Sequence, residues 1–217
     1  IWKTGERFNV RPYYRAANLE GIDFLQAEAG RFPYVRGTHN DNTWLVHQTV
    51  AVECPKEANR TALKLLESGV DSIGFCIKSE EFTAQQLDEL LSGIVLPAVE
   101  LTFCGSKVSH IAEMVIAYAE RHGVAKDDLR ANFCIDPIIA DLSVKGDFCC
   151  NNGEKCFARI AELIKATDDY KHVRIVNVSG ATFSNAGSTI VEELAFSLSA
   201  AHEYIVRLTA LGLSIDQ

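Results

Sequence analysis

Hydrophobic and polar positions along this chain follow two rhythms in turn. From Trp44 onward, short apolar runs bounded by turn residues alternate with longer stretches in which apolar residues recur every three or four positions. Trp44 to Val52, Ser72 to Ile77, Ala98 to Phe103, Ala131 to Ile135 and Val173 to Val178 read as strands. Pro55 opens the first helix, where its missing N–H has no partner to lose, and Ser68-Gly69 ends it. Thr83 caps a helix carrying Leu87, Leu90 and Leu91. Ser106 opens another, with Ile111, Met114, Val115 and Tyr118 on one face and Gly123 at its close. Phe157, Ile160, Ala161 and Ile164 form the stripe of the segment Cys156 to Ile164, and the last helix runs from about Ser188 to Leu211.

Five strands alternating with five helices predict an α/β fold with a parallel sheet and right-handed crossovers. Periodicity alone allows an open doubly wound sheet or part of a (βα)8 TIM-type barrel, and five units are too few to close a barrel. Residues 1–43 are turn-rich, with Arg11-Pro12-Tyr13-Tyr14 and Arg31-Phe32-Pro33-Tyr34-Val35-Arg36-Gly37, and read as an extended arm. Residues 44–217 then form the (βα) region. In a partial barrel the first and fifth strands lack partners. Val50, Phe75, Phe103 and Phe133, placed near the inner faces of the strands, would lack an opposite wall. Both features predict self-association, or an open side covered by the arm.

Composition narrows the function classes. The chain has 217 residues, 47% hydrophobic and 23% charged, with a formal net charge of -8. That acidity argues against sequence-independent nucleic-acid binding and against a polybasic membrane surface. No apolar run reaches membrane-spanning length. The start, Ile1-Trp2-Lys3-Thr4-Gly5-Glu6, lacks the order of a secretory leader and lacks Met, so a trimmed or partial cytoplasmic chain is expected. Seven cysteines, an odd count, suit reduced thiols better than a disulfide framework. Cys76, Cys104 and Cys134 read as buried small hydrophobes. Cys149, Cys150 and Cys156 show no CxxC spacing, and no metal site is expected.

Familiar catalytic signatures are missing. There is no GxGxxG after a strand, no phosphate loop and no GxSxG elbow. Gly105-Ser106-Lys107 reads as an ordinary strand-to-helix turn, with a weak anion site as the alternative. No two of the six histidines share a metal-ligand spacing. His122 lies beside Gly123 at a helix end, where a cation suits the dipole, and His202 has a packing or surface role. Asp136, at a strand's C-terminal end, is either a cap for the following turn or a general base.

The most informative segment is Val178-Ser179-Gly180-Ala181-Thr182-Phe183-Ser184-Asn185-Ala186-Gly187, which follows the fifth strand where parallel α/β folds bind ligands. It resembles the Ser-Gly-Tyr-His…Ala-Gly loop of the coenzyme-B12-dependent acyl-CoA mutases. The likeness continues through Glu193-Leu194-Ala195, Glu203-Tyr204 and Leu211-Gly212-Leu213-Ser214-Ile215-Asp216. His47-Gln48-Thr49-Val50-Ala51, followed by Glu57-Ala58-Asn59, is similar to the family's Arg-Gln-Tyr-Ala-Gly…Glu-x-x-Asn. Gly69-Val70-Asp71-Ser72-Ile73-Gly74-Phe75 resembles its second strand, and Cys134-Ile135-Asp136-Pro137-Ile138 stands in place of Gln-Asn-Asp-Ile-Leu.

The departures from that pattern carry their own message. By the resemblance, catalytic subunits have Tyr at Thr49, Gln at Cys134, and Tyr and His at Ala181 and Thr182. Those side chains face the substrate thioester, its carboxylate and the corrin, and only Lys145 lies near the place of the family's carboxylate-pairing Arg. Thr49, Cys134 and Thr182 thus mark a degenerate substrate site with no catalytic residue. No Asp here has His at +2 and Gly at +5, so the family's cobalamin ligand loop has no counterpart. The resemblance implies the small, non-catalytic partner of a methylmalonyl-CoA mutase large subunit: a cytoplasmic heterodimeric isomerase of propionate metabolism, with adenosylcobalamin in the holoenzyme and none bound to this chain. The alternatives are an active B12-dependent mutase with another substrate, and an unrelated small-molecule enzyme on a doubly wound sheet.

Overall fold

The computed structural model describes residues 1–138 and 153–215. They divide into two units, Ile1–Trp44 with Thr189–Val191, and Leu45–Ser188 with Glu192 onward. In the first unit, β1 (Trp2–Lys3) pairs antiparallel with β2 (Asn9–Val10), Trp2 opposite Val10. Its 3-10 turns at Ala16–Leu19 and Asp23–Gln26 bury no residue. Trp2, Phe32 and Trp44 remain 69%, 86% and 72% exposed, so this unit builds no core of its own.

The second unit is a five-stranded parallel sheet in the order β3 (His47–Val52), β4 (Ser72–Ile77), β5 (Glu100–Gly105), β6 (Ala131–Ile135), β7 (Val173–Val176). Sequential order is what a partial barrel requires. A doubly wound sheet reverses direction at a switch point, and none occurs among the described residues, whose order speaks against that alternative. The helices are α1 (Pro55–Glu67), α2 (Ala84–Leu91), α3 (Val108–Arg121), α4 (Gly153–Ala166), α5 (Ala181–Asn185) and α6 (Ile190–Ala210). β5 starts two residues later than the apolar pattern suggests, because Leu96–Ala98, with Pro97 at its start, forms a 3-10 turn. The expected final helix is divided: α5 ends at Asn185 and Gly187 (φ 100°) turns the chain before α6.

One face of the sheet carries the core. Val50, Val52, Ile73, Phe75, Ile77, Leu101, Phe103, Ala131, Phe133 and Ile175 are buried in one cluster with Ala58 and Ala62 of α1, Leu87, Leu90 and Leu91 of α2, and Ile111 and Val115 of α3. Register places Val50, Phe75, Phe103 and Phe133 in one row. The rings of Phe75 and Phe103 lie 5.9 Å apart, and those of Phe103 and Phe133 stack at 5.5 Å. The expectation that these residues line the inner face is therefore corrected. They belong to the layer between strands and helices.

Side chains alternate along a strand, so the intervening residues face the other way. His47, Thr49 and Ala51, then Ser72, Gly74 and Cys76, then Glu100, Thr102 and Cys104, then Asn132 and Cys134 occupy that second face. It is small and polar. Parallel sheets covered on both faces read as continuous apolar runs; this one is apolar on its helix side alone. Phe103→Ala should destabilise the chain by about 3–5 kcal/mol in denaturant unfolding. Thr102→Ala, one residue away on the polar face, should cost under about 1 kcal/mol.

Candidate functional site

The polar face has two connected parts. At the N-terminal ends of the strands, His47 Nδ1 lies 2.8 Å from Ser72 Oγ, and Ser72 Oγ donates to Glu100 Oε1 at 3.2 Å. Because the Ser72 proton goes to the carboxylate, Ser72 accepts from His47 Nδ1–H. His47 Nε2 then meets Thr49 Oγ1 at 3.2 Å. Gly74 makes this possible: a Cβ there would lie 3.0 Å from both His47 Nε2 and Thr49 Oγ1. The serine sits between histidine and carboxylate, so the chain of bonds is not a nucleophile activated by an oriented base. Further along, Arg174 Nη1 donates to Asn132 Oδ1 at 3.3 Å across β6 and β7.

Toward the C-terminal ends lie Cys76, Cys104 and Cys134. All three are free and half-buried, where full burial was expected. Burial, the Cys76 hydrogen bond, and the neighbouring Cys76 and Cys134 push the Cys104 thiol up to about 12. Burial also raises Cys134. These thiols stay protonated at neutral pH and are poor nucleophiles there. Cys156 is disulfide-bonded, a departure from uniformly reduced thiols. Cys149, Cys150 and Lys145 lie outside the described residues.

The loop after β7 is fixed from two sides. Ser179 N–H donates to Asp136 Oδ2 at 3.3 Å, and Tyr204 O–H of α6 donates to Asp136 Oδ1 at 2.6 Å. Tyr204 also accepts from Ile138 N–H at 3.1 Å. Asp136 therefore ties the end of β6 to the next loop and to α6. Gly180 allows α6 to approach: a Cβ there would lie 2.8 Å from Glu193 Oε1 and 2.9 Å from Ser197 Oγ. Asn59 has a similar role on the helix side, donating to the carbonyls of Leu90 and Ser92 at 2.8 Å each, at the otherwise unsatisfied end of α2.

Thr49 and Cys134 share the polar face, with Thr49 one row nearer the N-terminal ends. Two strands separate theirs, which puts them roughly 14 Å apart at ordinary strand spacing. Thr182 stands apart, second residue of α5 beyond the end of β7 and half-buried. The Gly105-Ser106-Lys107 turn is accounted for by its own bonds. A Cβ on Gly105 (φ +115°) would lie 1.9 Å from the Ile77 carbonyl oxygen, Ser106 Oγ donates to Lys78 O, and Lys107 Nζ donates to Glu80 O. His122 follows α3 and stacks on Tyr118 at 4.1 Å, and His202 is exposed. Among the described residues no group of three His, Cys, Asp or Glu could hold a metal ion, and no helix is long and apolar enough to cross a membrane. The polar row itself is legible in Ser72-Ile73-Gly74-Phe75-Cys76-Ile77, where small and large residues alternate strictly.

Comparison with known proteins agrees with this geometry. The family model described as methylmalonyl-CoA mutase matches residues 3–81 and 70–217. The chain belongs to the methylmalonyl-CoA mutase family. It is 32% identical to the methylmalonyl-CoA mutase small subunit of Porphyromonas gingivalis, covering 100% of this chain and 35% of that one. Against the small subunit of Streptomyces virginiae identity is 29% over 87% of this chain and 30% of that one. Against the large subunit of the same organism it is 25%, over 100% and 33%. The chain thus spans about a third of the length of these mutase relatives.

Two outcomes follow. Tyr204→Phe should cost about 2 kcal/mol in chemical denaturation, through the lost bond to Asp136. The raised Cys104 thiol holds its proton in the folded state after the unfolded chain has released it. Its contribution to stability is full below about pH 9 and disappears between about 9 and about 12. Melting temperatures across that range should fall more steeply for the native sequence than for Cys104→Ala.

Proposed function

We propose that the protein containing this chain is the small, non-catalytic subunit of an adenosylcobalamin-dependent methylmalonyl-CoA mutase. It supports a catalytic large subunit in the interconversion of methylmalonyl-CoA and succinyl-CoA, as a cytoplasmic heterodimer of propionate metabolism. The observation that carries the reading is the contrast between a retained scaffold and a changed lining. Asp136, Gly180, Tyr204 and Asn59 fit the family pattern, and each holds backbone in place. Thr49, Cys134 and Thr182 depart from it, and they are the proposed remnants of the substrate site. Greater identity to the Streptomyces virginiae small subunit than to its large subunit favours the same assignment.

The chemistry available at those positions supports a pseudo-site. The Thr49 hydroxyl is engaged with His47. The Cys134 thiol is held protonated by burial and offers a weaker hydrogen bond than a glutamine amide. Adenosylcobalamin supplies radical chemistry when bound, and needs a closed cavity that holds substrate against it. The family's cobalamin ligand loop has no counterpart in these residues, since no Asp here has His at +2 and Gly at +5.

In this reading residues 1–43 are an arm whose exposed aromatic side chains lie on a partner surface, and residues 44–217 are the barrel portion. The 217 residues alone are proposed to self-associate. Among the described residues β3 and β7 each have one bonded neighbour in the sheet, and α6 exposes Leu194 (59%) and Leu198 (61%). The full-length protein with added adenosylcobalamin should not isomerise methylmalonyl-CoA by itself, and should co-purify with the large subunit as an active pair. Turnover by the isolated small subunit would instead establish it as a mutase in its own right.

A further inference from the structure

We propose that Cys76 and Cys104 form a redox modification site, a dithiol on the polar face that closes to a cross-strand disulfide when it meets a peroxide. β4 and β5 run parallel and in register, with Cys76 directly opposite Cys104. Adjacent strands lie about 4.8 Å apart. Disulfides join Cα atoms about 4.4–6.8 Å apart, a range that includes this strand spacing. Both thiols are free and half-buried, within reach of a small oxidant. Cys76 is paired with Cys104 in the strand register, whereas the pairing of β5 with β6 ends at Phe103 opposite Phe133, one residue short of Cys134. Cys104 Sγ is further oriented by the Phe75 carbonyl at 3.7 Å.

The chemistry balances without another reagent. Cys76 Sγ attacks one peroxide oxygen, the O–O bond breaks, and the thiol becomes a sulfenic acid while the released hydroxide takes the thiol proton and leaves as water. Cys104 Sγ then attacks Cys76 Sγ. The S–S bond forms, the S–O bond breaks, and the departing hydroxide leaves with the Cys104 proton as a second water. Two thiols lose two electrons, and one peroxide is reduced to two waters. Cys104 attacks as the thiolate, and because its surroundings hold the proton this second step is slow at neutral pH and speeds up as the pH rises.

The test uses the full-length protein, reduced, freed of reductant and treated with hydrogen peroxide at mildly alkaline pH. Remaining thiols are alkylated and the digest is mapped by mass spectrometry. The expected product is a cross-linked pair of peptides joined through Cys76 and Cys104, restored to separate peptides by dithiothreitol. Cys134→Ser should leave the link intact, while Cys76→Ser and Cys104→Ser each remove it. Recovery of Cys104 linked to Cys134, or of both Cys76 and Cys104 fully alkylated after treatment, would overturn the proposal.

Discussion

The row formed by Phe75, Phe103 and Phe133 sets the orientation of the whole sheet. Three rings in register, two pairs of them within 6 Å, fill the layer between strands and helices. Because strand side chains have a period of two, a slip of one residue would send these rings to the opposite face and bring cysteine, threonine and glycine under the helices. No packing gain could offset that exchange. Burial of the phenylalanines therefore also dictates which residues line the other side.

That second face is suited to small polar contacts. Gly74 leaves room for His47 and Thr49, and Ser72 bridges His47 to Glu100. The cysteines continue the pattern with a side chain little larger than serine. The same register sets Cys76 directly opposite Cys104.

At the strand ends the loop after β7 is held by groups from distant parts of the chain. Asp136 receives hydrogen bonds from Ser179 and from Tyr204, separated from it by 43 and 68 residues. Several positions that fit the mutase pattern are occupied in this way by bonds that position backbone. Of the positions that depart from the pattern, Thr49 bonds His47, Thr182 lies on a short helix, and Cys134 faces away from the core.

Local pattern determined a good deal on its own. The five strands, the helix begun at Pro55 and the cap at Thr83 follow from periodicity and capping, which depend on neighbours in the chain. The loop Ser179-Gly180 was also legible as the connection from the fifth strand to a helix. The apolar strand runs, however, hid which face each phenylalanine takes, because a row such as Val50-Phe75-Phe103-Phe133 exists only once strand order and register are set. The same is true of the bonds from Asp136, a carboxylate that sequence alone left open between a cap and a base. Periodicity is a property of adjacent residues, so the chain specifies its elements. Contacts such as Tyr204 with Asp136 need the sheet and α6 brought together, and only the tertiary structure decides them.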